Sequence, residues 1–226
     1  MLLGKYEQGL EILGIRNLLW YNTGDFFAAL NSMDTITVFT STTVRPVLQR
    51  QLPSALPLVI AYRVIVFQEI EQEGQMTFIV VSKAEAVAFP KVVCAKSASV
   101  MLQSGCGSYL CVKSENMPKC VFIYNSKTLK INSVVIMRNV VTSLAWHPKK
   151  VILSICTGIQ AFGLWTPIGC FAVHIPGFQN VTDLLVKKIV WSATGNNFIV
   201  VGHKTAFIGI MTLTKNTHEE KRNSIG

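Results

Sequence analysis

Acidic side chains are scarce in this sequence. Twelve Asp and Glu stand against 21 Lys and Arg in 226 residues, and only 15% of the chain is charged. Few carboxylates leave little material for a general acid–base centre. Paired-cysteine motifs are missing too. The six cysteines (Cys94, Cys106, Cys111, Cys120, Cys156 and Cys170) contain no CxxC and lack the paired histidines of a zinc site. They are expected to be reduced thiols, mostly packed in strands, with no metal bound. No apolar run is long enough for a membrane helix. The longest candidate, LPSALPLVIAYRVIVF at 52 to 67, is broken by Pro57 and Arg63 and reads as one or two strands. The opening residues, MLLGKYEQGLEILG, place acidic groups where a secretion signal needs its apolar run, which predicts a cytoplasmic protein. Long stretches with apolar residues at helical spacing are absent as well.

What is present is strand chemistry. Half of the residues are hydrophobic, ample for a core at this length. They fall in short runs rich in Val, Ile, Phe and Thr, bounded by Gly, Asn, Asp and Pro. Some runs, such as VVIM at 134 to 137, are apolar at every position, as expected of strands covered on both faces. The formal net charge of +9 is scattered along the chain and reads as a solvated surface. A nucleic-acid partner is the weaker reading.

The runs repeat. Residues 15 to 40 (IRNLLWYNTGDFFAALNSMDTITVFT), 141 to 166 (VTSLAWHPKKVILSICTGIQAFGLWT) and 187 to 212 (KKIVWSATGNNFIVVGHKTAFIGIMT) align with Trp20, Trp146 and Trp191 in one column. A polar turn follows each tryptophan, then an apolar strand, a second turn and a last strand. A weaker copy at 100 to 125, VMLQSGCGSYLCVKSENMPKCVFIYN, puts Gln103 in that column. Gln103 to Trp146 is 43 residues and Trp146 to Trp191 is 45, by their positions in the sequence. Such spacing is the period of a four-stranded propeller blade, with the fourth strand in the connector. Trp20 to Gln103 is 83, which calls for a degenerate blade or an insertion.

The expected fold is therefore all-β: an incomplete WD-repeat β-propeller over residues 1–215, of about four blades of four-stranded antiparallel sheet. Blade cores fall at about 14–43, 100–130, 140–170 and 184–213, with an irregular or degenerate blade or insertion at 44–99 and a disordered tail at 216–226. Trp20, Trp146, Trp191 and Trp165 are the structural repeat positions. Trp165-Thr166 stands where these repeats place Trp-Asp, and Phe39-Thr40, Tyr124-Asn125 and Ile210-Met211 stand there in the other copies. No copy has the aspartate, and the opening Gly-His is absent, so packing must replace the hydrogen-bond network those residues supply. About four blades leave an apolar face and unpaired edges open, which calls for a partner, self-association or a missing N-terminal exon. Closure as a four-bladed ring is the weaker reading.

The run ICTGIQAFGLWTPIGCFAVHIPG at 155 to 177, with IVWSATGN after it and VKSENMPKCVFIYNSKTLKI and GIRNLLWYNTGDFFAAL before it, resembles the WRAP family (WD repeat-containing protein eight) of centrosomal and spindle-pole proteins. The resemblance spans most of 14 to 211, is weak from about 44 to 98, and corresponds to the C-terminal half of the family's longer chains. It implies a non-catalytic scaffold at the centrosome or spindle pole, in the cytoplasm and cytoskeleton. Such a scaffold anchors microtubule minus ends and assists spindle and cilium assembly. The implied partners are a coiled-coil centrosomal adaptor and spindle-pole or microtubule-associated proteins.

Sharper chemistry is weighed and set aside. His147 shares its column with Tyr21 and Ser192 and reads as a turn residue. Cys156 lies inside an apolar strand, which argues against a nucleophile paired with His174. GHKT at 202 to 205 lacks the glycine spacing of a phosphate loop. The column tryptophans read as packing residues and not as a stacking platform for bases. No catalytic residue, cofactor, metal or small-molecule substrate is expected. The alternatives are a truncated propeller fragment without independent function, or a basic nucleic-acid-binding propeller.

Overall fold

The computed structural model describes residues 14–53, 64–81, 99–175, 185–203 and 205–211. The possible tail at 216–226, Cys94 and most of the 52-to-67 run lie outside them. Every regular element among the described residues is a strand, and none of them forms a helix long and apolar enough to cross a membrane.

Blade one is a four-stranded meander of β1 (Ile15–Trp20), β2 (Phe26–Asn31), β3 (Thr35–Thr40) and β4 (Pro46–Gln51). Its first turn is set by Gly24, whose φ of 78° costs a residue without Cβ little. Gly24 N–H donates to Tyr21 O at 2.8 Å, and Tyr21 N–H to Phe26 O at 2.9 Å. Gly107 and Gly195 occupy the same place in their turns, with φ of 73° and 79°. The second turn is held by Asn31, whose Oδ1 accepts from Met33 N at 3.0 Å and Thr35 N at 2.9 Å.

After residues 54–63 comes a hairpin, β5 (Ile65–Gln72) and β6 (Gln75–Val80), turned at Glu73 and Gly74, both at positive φ. Blade two follows as β7 (Val100–Gln103), β8 (Tyr109–Lys113), β9 (Cys120–Asn125) and β10 (Ile131–Ile136). β5 joins the outer edge of β10 in parallel, Val134 opposite Val66, which makes this sheet six-stranded. The described part of 44–99 is thus β4 and an inserted hairpin, and the hairpin belongs to blade two. Blade three is β11 (Ser143–Trp146), β12 (Leu153–Cys156), β13 (Ala161–Thr166) and β14 (Gly169–His174). Blade four has three described strands, β15 (Lys188–Trp191), β16 (Asn197–Val201) and β17 (Ala206–Ile210).

The first strands are neighbours in series: β1 touches β7, β7 touches β11 and β11 touches β15. The sheets therefore fan about a common axis, each covering the next. Three apolar cores fill the junctions. Leu30, Val38, Leu110 and Phe122 lie between blades one and two, Ile123, Val135, Leu153 and Trp165 between two and three, and Phe162, Ile189 and Val200 between three and four. Middle strands such as β9 and β12 are buried at almost every residue because both faces are covered, whereas β17 is half exposed. Each fully buried Leu, Ile or Phe contributes about 1.5–3 kcal/mol.

Candidate interaction surfaces

The turns that follow the tryptophan column line up along one rim, and each grips its neighbour. Asn22 Nδ2 in blade one donates to Ser104 O at 3.0 Å and Gly105 O at 3.2 Å in blade two, while Asn22 N–H donates to Gln103 Oε1 at 2.8 Å. Gln103, the residue that replaces tryptophan in its column, also ties its own turn by donating from Nε2 to Gly107 O at 3.1 Å. Gly105 in turn lies against blade three so closely that a Cβ would stand 2.2 Å from Pro148 O.

His147 makes the next link. It is a turn residue, as its column suggests, but it is buried. Its Nδ1 accepts from Lys149 N at 3.0 Å and Lys150 N at 2.9 Å, which fixes the proton on Nε2. Nε2–H then donates to Gly195 O in blade four at 3.0 Å. Trp191 packs on the ring, centroids 4.8 Å apart, and a Cβ on Gly195 would meet His147 Cε1 at 2.2 Å. Burial, reinforced by Lys150 and Lys149, holds the imidazole pKa below its usual value despite the bond to Gly195. With both nitrogens committed, the ring is a latch between turns and has no free nitrogen for a general base.

The tryptophan column points the other way, back onto the preceding blade. Trp146 Nε1–H donates to Leu102 O of blade two at 3.1 Å, and Trp191 Nε1–H to Ser154 Oγ of blade three at 3.4 Å. Trp20 heads the same column in the first blade; it is 61% exposed. Trp165 is buried beside Trp146, edge to face at 6.0 Å, and its Nε1–H meets no acceptor. This indole is held by packing alone, against Trp146 and Tyr109.

Clefts open between blades among the described residues. One, of about 630 Å³, lies where the inserted hairpin meets blade three, lined by Glu69, Glu71, Met76, Arg138 and His174. His174 Nε2 bonds Met76 O at 2.8 Å, Arg138 pairs with Glu71, and Glu69 Oε2 accepts from Arg138 N at 3.0 Å. Burial raises the Glu69 carboxyl pKa against the opposing pull of Arg138. The second cleft, of about 520 Å³, lies between blades one and two over Phe26, Val38 and Leu48, with Cys106 at its mouth. Burial acts to raise the Cys106 pKa, but hydrogen bonds from Ser104 and Ser108 outweigh it and leave the thiol below its usual value. By contrast burial pushes the Cys111, Cys120 and Cys156 thiols up to about 12. Cys156 is an inert core residue, and His174, separated from β12 by β13, already spends Nε2 on the hairpin. Gly202 N–H donates to Thr205 O at 2.8 Å between β16 and β17. Among the described residues no three His, Cys, Asp or Glu side chains come together to hold a metal.

Only tertiary placement reveals Asn22, Gln103 and His147 as inter-blade grips. The sole sequence signal is that they follow or occupy the tryptophan column.

No protein-family profile matches this chain. The WD repeat-containing protein WRAP73 of Mus musculus is similar at 32% identity over 93 residues, which is 41% of this chain and 20% of that protein. The match thus spans one fifth of the relative's length. Among solved structures, U3-55K aligns with 89% of this chain and 53% of its own at 11% identity, TM-score 0.52. The Cps50 (Swd1) β-propeller domain of Myceliophteria thermophila aligns with 84% of this chain and 53% of its own at 12% identity, TM-score 0.51. The fold is that of a WD-type β-propeller, present here as an open arc.

Proposed function

We propose that this chain is a non-catalytic WD-repeat scaffold, a subunit of a centrosomal or spindle-pole complex. In that complex it anchors microtubule minus ends and supports spindle and cilium assembly through a coiled-coil adaptor. The 93-residue likeness to WRAP73, in a chain folded as propeller blades, carries the reading. A rim of turns locked to one another suits protein binding, because loops fixed by rigid sheets present a broad pre-formed surface. Endogenous tagging tests it. Affinity purification with mass spectrometry is expected to recover a coiled-coil centrosomal protein, and imaging to place the tagged chain at spindle poles in mitosis. A diffuse signal with no such protein enriched would refute the reading.

A further inference from the structure

The cleft between blades one and two holds an exposed thiol and a buried hydroxyl that the fold itself leaves unused. It lies on the rim where turns of the two blades meet, has a volume of about 520 Å³, and is walled by Phe26, Val38, Val47 and Leu48. An apolar hollow of that size with few polar groups has the character of a small-ligand site. Ser126 lines it from the turn between β9 and β10. Its N–H donates to Ser108 O at 3.0 Å and its carbonyl accepts from Tyr21 Oη at 3.1 Å, yet among the described residues its buried hydroxyl has no hydrogen-bond partner. Such a hydroxyl costs stability unless an occupant of the cleft bonds to it. Cys106, two residues before Ser108, stands exposed at the mouth. Ser104 Oγ lies 3.4 Å from Cys106 Sγ, and because that oxygen already accepts from Tyr109 N–H at 3.1 Å, its proton is available to the sulfur. Hydrogen bonds of this kind favour the thiolate, which is the nucleophilic form.

We propose that Cys106 is a site of S-acylation, taking a fatty acyl group from an acyl-coenzyme A, and that the cleft between blades one and two receives the chain. The thiolate attacks the thioester carbonyl, a bond from that carbon to Cys106 Sγ replaces the one to the coenzyme A sulfur, and coenzyme A leaves with the proton that the cysteine gave up. One thioester is exchanged for another, so no oxidant or reductant enters. The chain lies on Phe26, Val38, Val47 and Leu48, and Ser126 Oγ donates to the new thioester carbonyl. Three observations select this occupant. The apolar wall suits a hydrocarbon, the single buried hydroxyl suits the single carbonyl of a thioester, and the thiol stands at the mouth, where an attached chain must begin. Cys111, Cys120 and Cys156 are buried and offer no comparable nucleophile. This inference is independent of the centrosomal reading.

Incubating the full chain with decanoyl-coenzyme A below its micellar concentration, and in parallel with acetyl-coenzyme A, tests it by peptide mass spectrometry. Decanoyl transfer to Cys106, reversed by hydroxylamine, is expected to run about tenfold or more faster than acetyl transfer, the effect of burying about two methylenes. Val47→Glu changes an exposed position on the cleft wall and should bring that ratio towards one, with Val47→Ser as a milder second variant should the charge prevent folding. Ser126→Ala should slow both acyl transfers relative to iodoacetamide alkylation of the same thiol. Equal rates for the two donors would overturn the proposal, since Cys106 would then be an exposed thiol without a chain site. Decanoylation spread over other cysteines, a ratio unmoved in the Val47 variants, or acyl transfer indifferent to Ser126→Ala would overturn it too.

Discussion

At His147 a turn residue carries a whole junction. Nδ1 is an acceptor for two backbone N–H groups and Nε2–H is a donor to Gly195 O, so only the neutral ring fits. Burial lowers its pKa in the folded chain. Below the ordinary imidazole pKa of about 6.5 the unfolded chain takes up a proton that the buried ring resists. Stability is therefore complete above that pH and falls as the pH drops from 7.5 towards 5.5. His147→Phe keeps the packing on Trp191 but strands Gly195 O, and is expected to cost about 1–3 kcal/mol at pH 7.5. Urea titrations at the two pH values check this, and the gap between variant and wild type should narrow at the lower one. Cys106 is distinguished among the described cysteines by exposure and by its serine hydrogen bonds. Peptide-resolved alkylation at pH 8 should label it about tenfold or more faster than Cys111, Cys120 or Cys156.

Among the elements, the inserted hairpin departs furthest from a plain repeat. It adds a parallel strand to blade two, and β6 lies beside the outer strand of blade three, tied there by His174. Gly163 on β13 makes room for it: a Cβ there would stand 3.0 Å from Phe78 of β6. The hairpin braces two blades from outside. Glu69 sits buried at its root, and burial raises its pKa, so the folded chain binds a proton more readily than the unfolded one. The ionised form therefore detracts from stability at neutral pH, and that loss is relieved as the pH falls through the raised value. Glu69→Gln keeps an acceptor for Arg138 N without the charge. Its urea midpoint should match or exceed that of the wild type at pH 7, with the advantage gone by pH 4. A lower midpoint at pH 7 would mean that the charge itself, facing Arg138, anchors the hairpin.

In the whole molecule, stability is a series of nearest-neighbour junctions. Three are filled within the chain, and the row of Val190, Ile199 and Ile208 on blade four is exposed. Leu153 is fully buried at the junction of blades two and three, so Leu153→Ala is expected to cost about 2–5 kcal/mol, read as a lower midpoint in urea.

The blade period was legible in the chain because a four-stranded meander is a local object. Trp20, Trp146 and Trp191, the polar turns after them and the β-branched runs all act within some forty residues. Strand order and the all-β class therefore follow from short-range pattern. The place of residues 65–80 was not legible, since a parallel pairing of β5 with β10 joins segments nearly seventy residues apart and carries no periodic mark. His147 likewise looked like any polar turn residue. Only the closeness of Gly195, a contact across 48 residues, turned it into a latch. Local spacing determined what each blade is, whereas tertiary packing alone decided which side chains join one blade to the next, because those contacts form only when separate sheets meet about the axis.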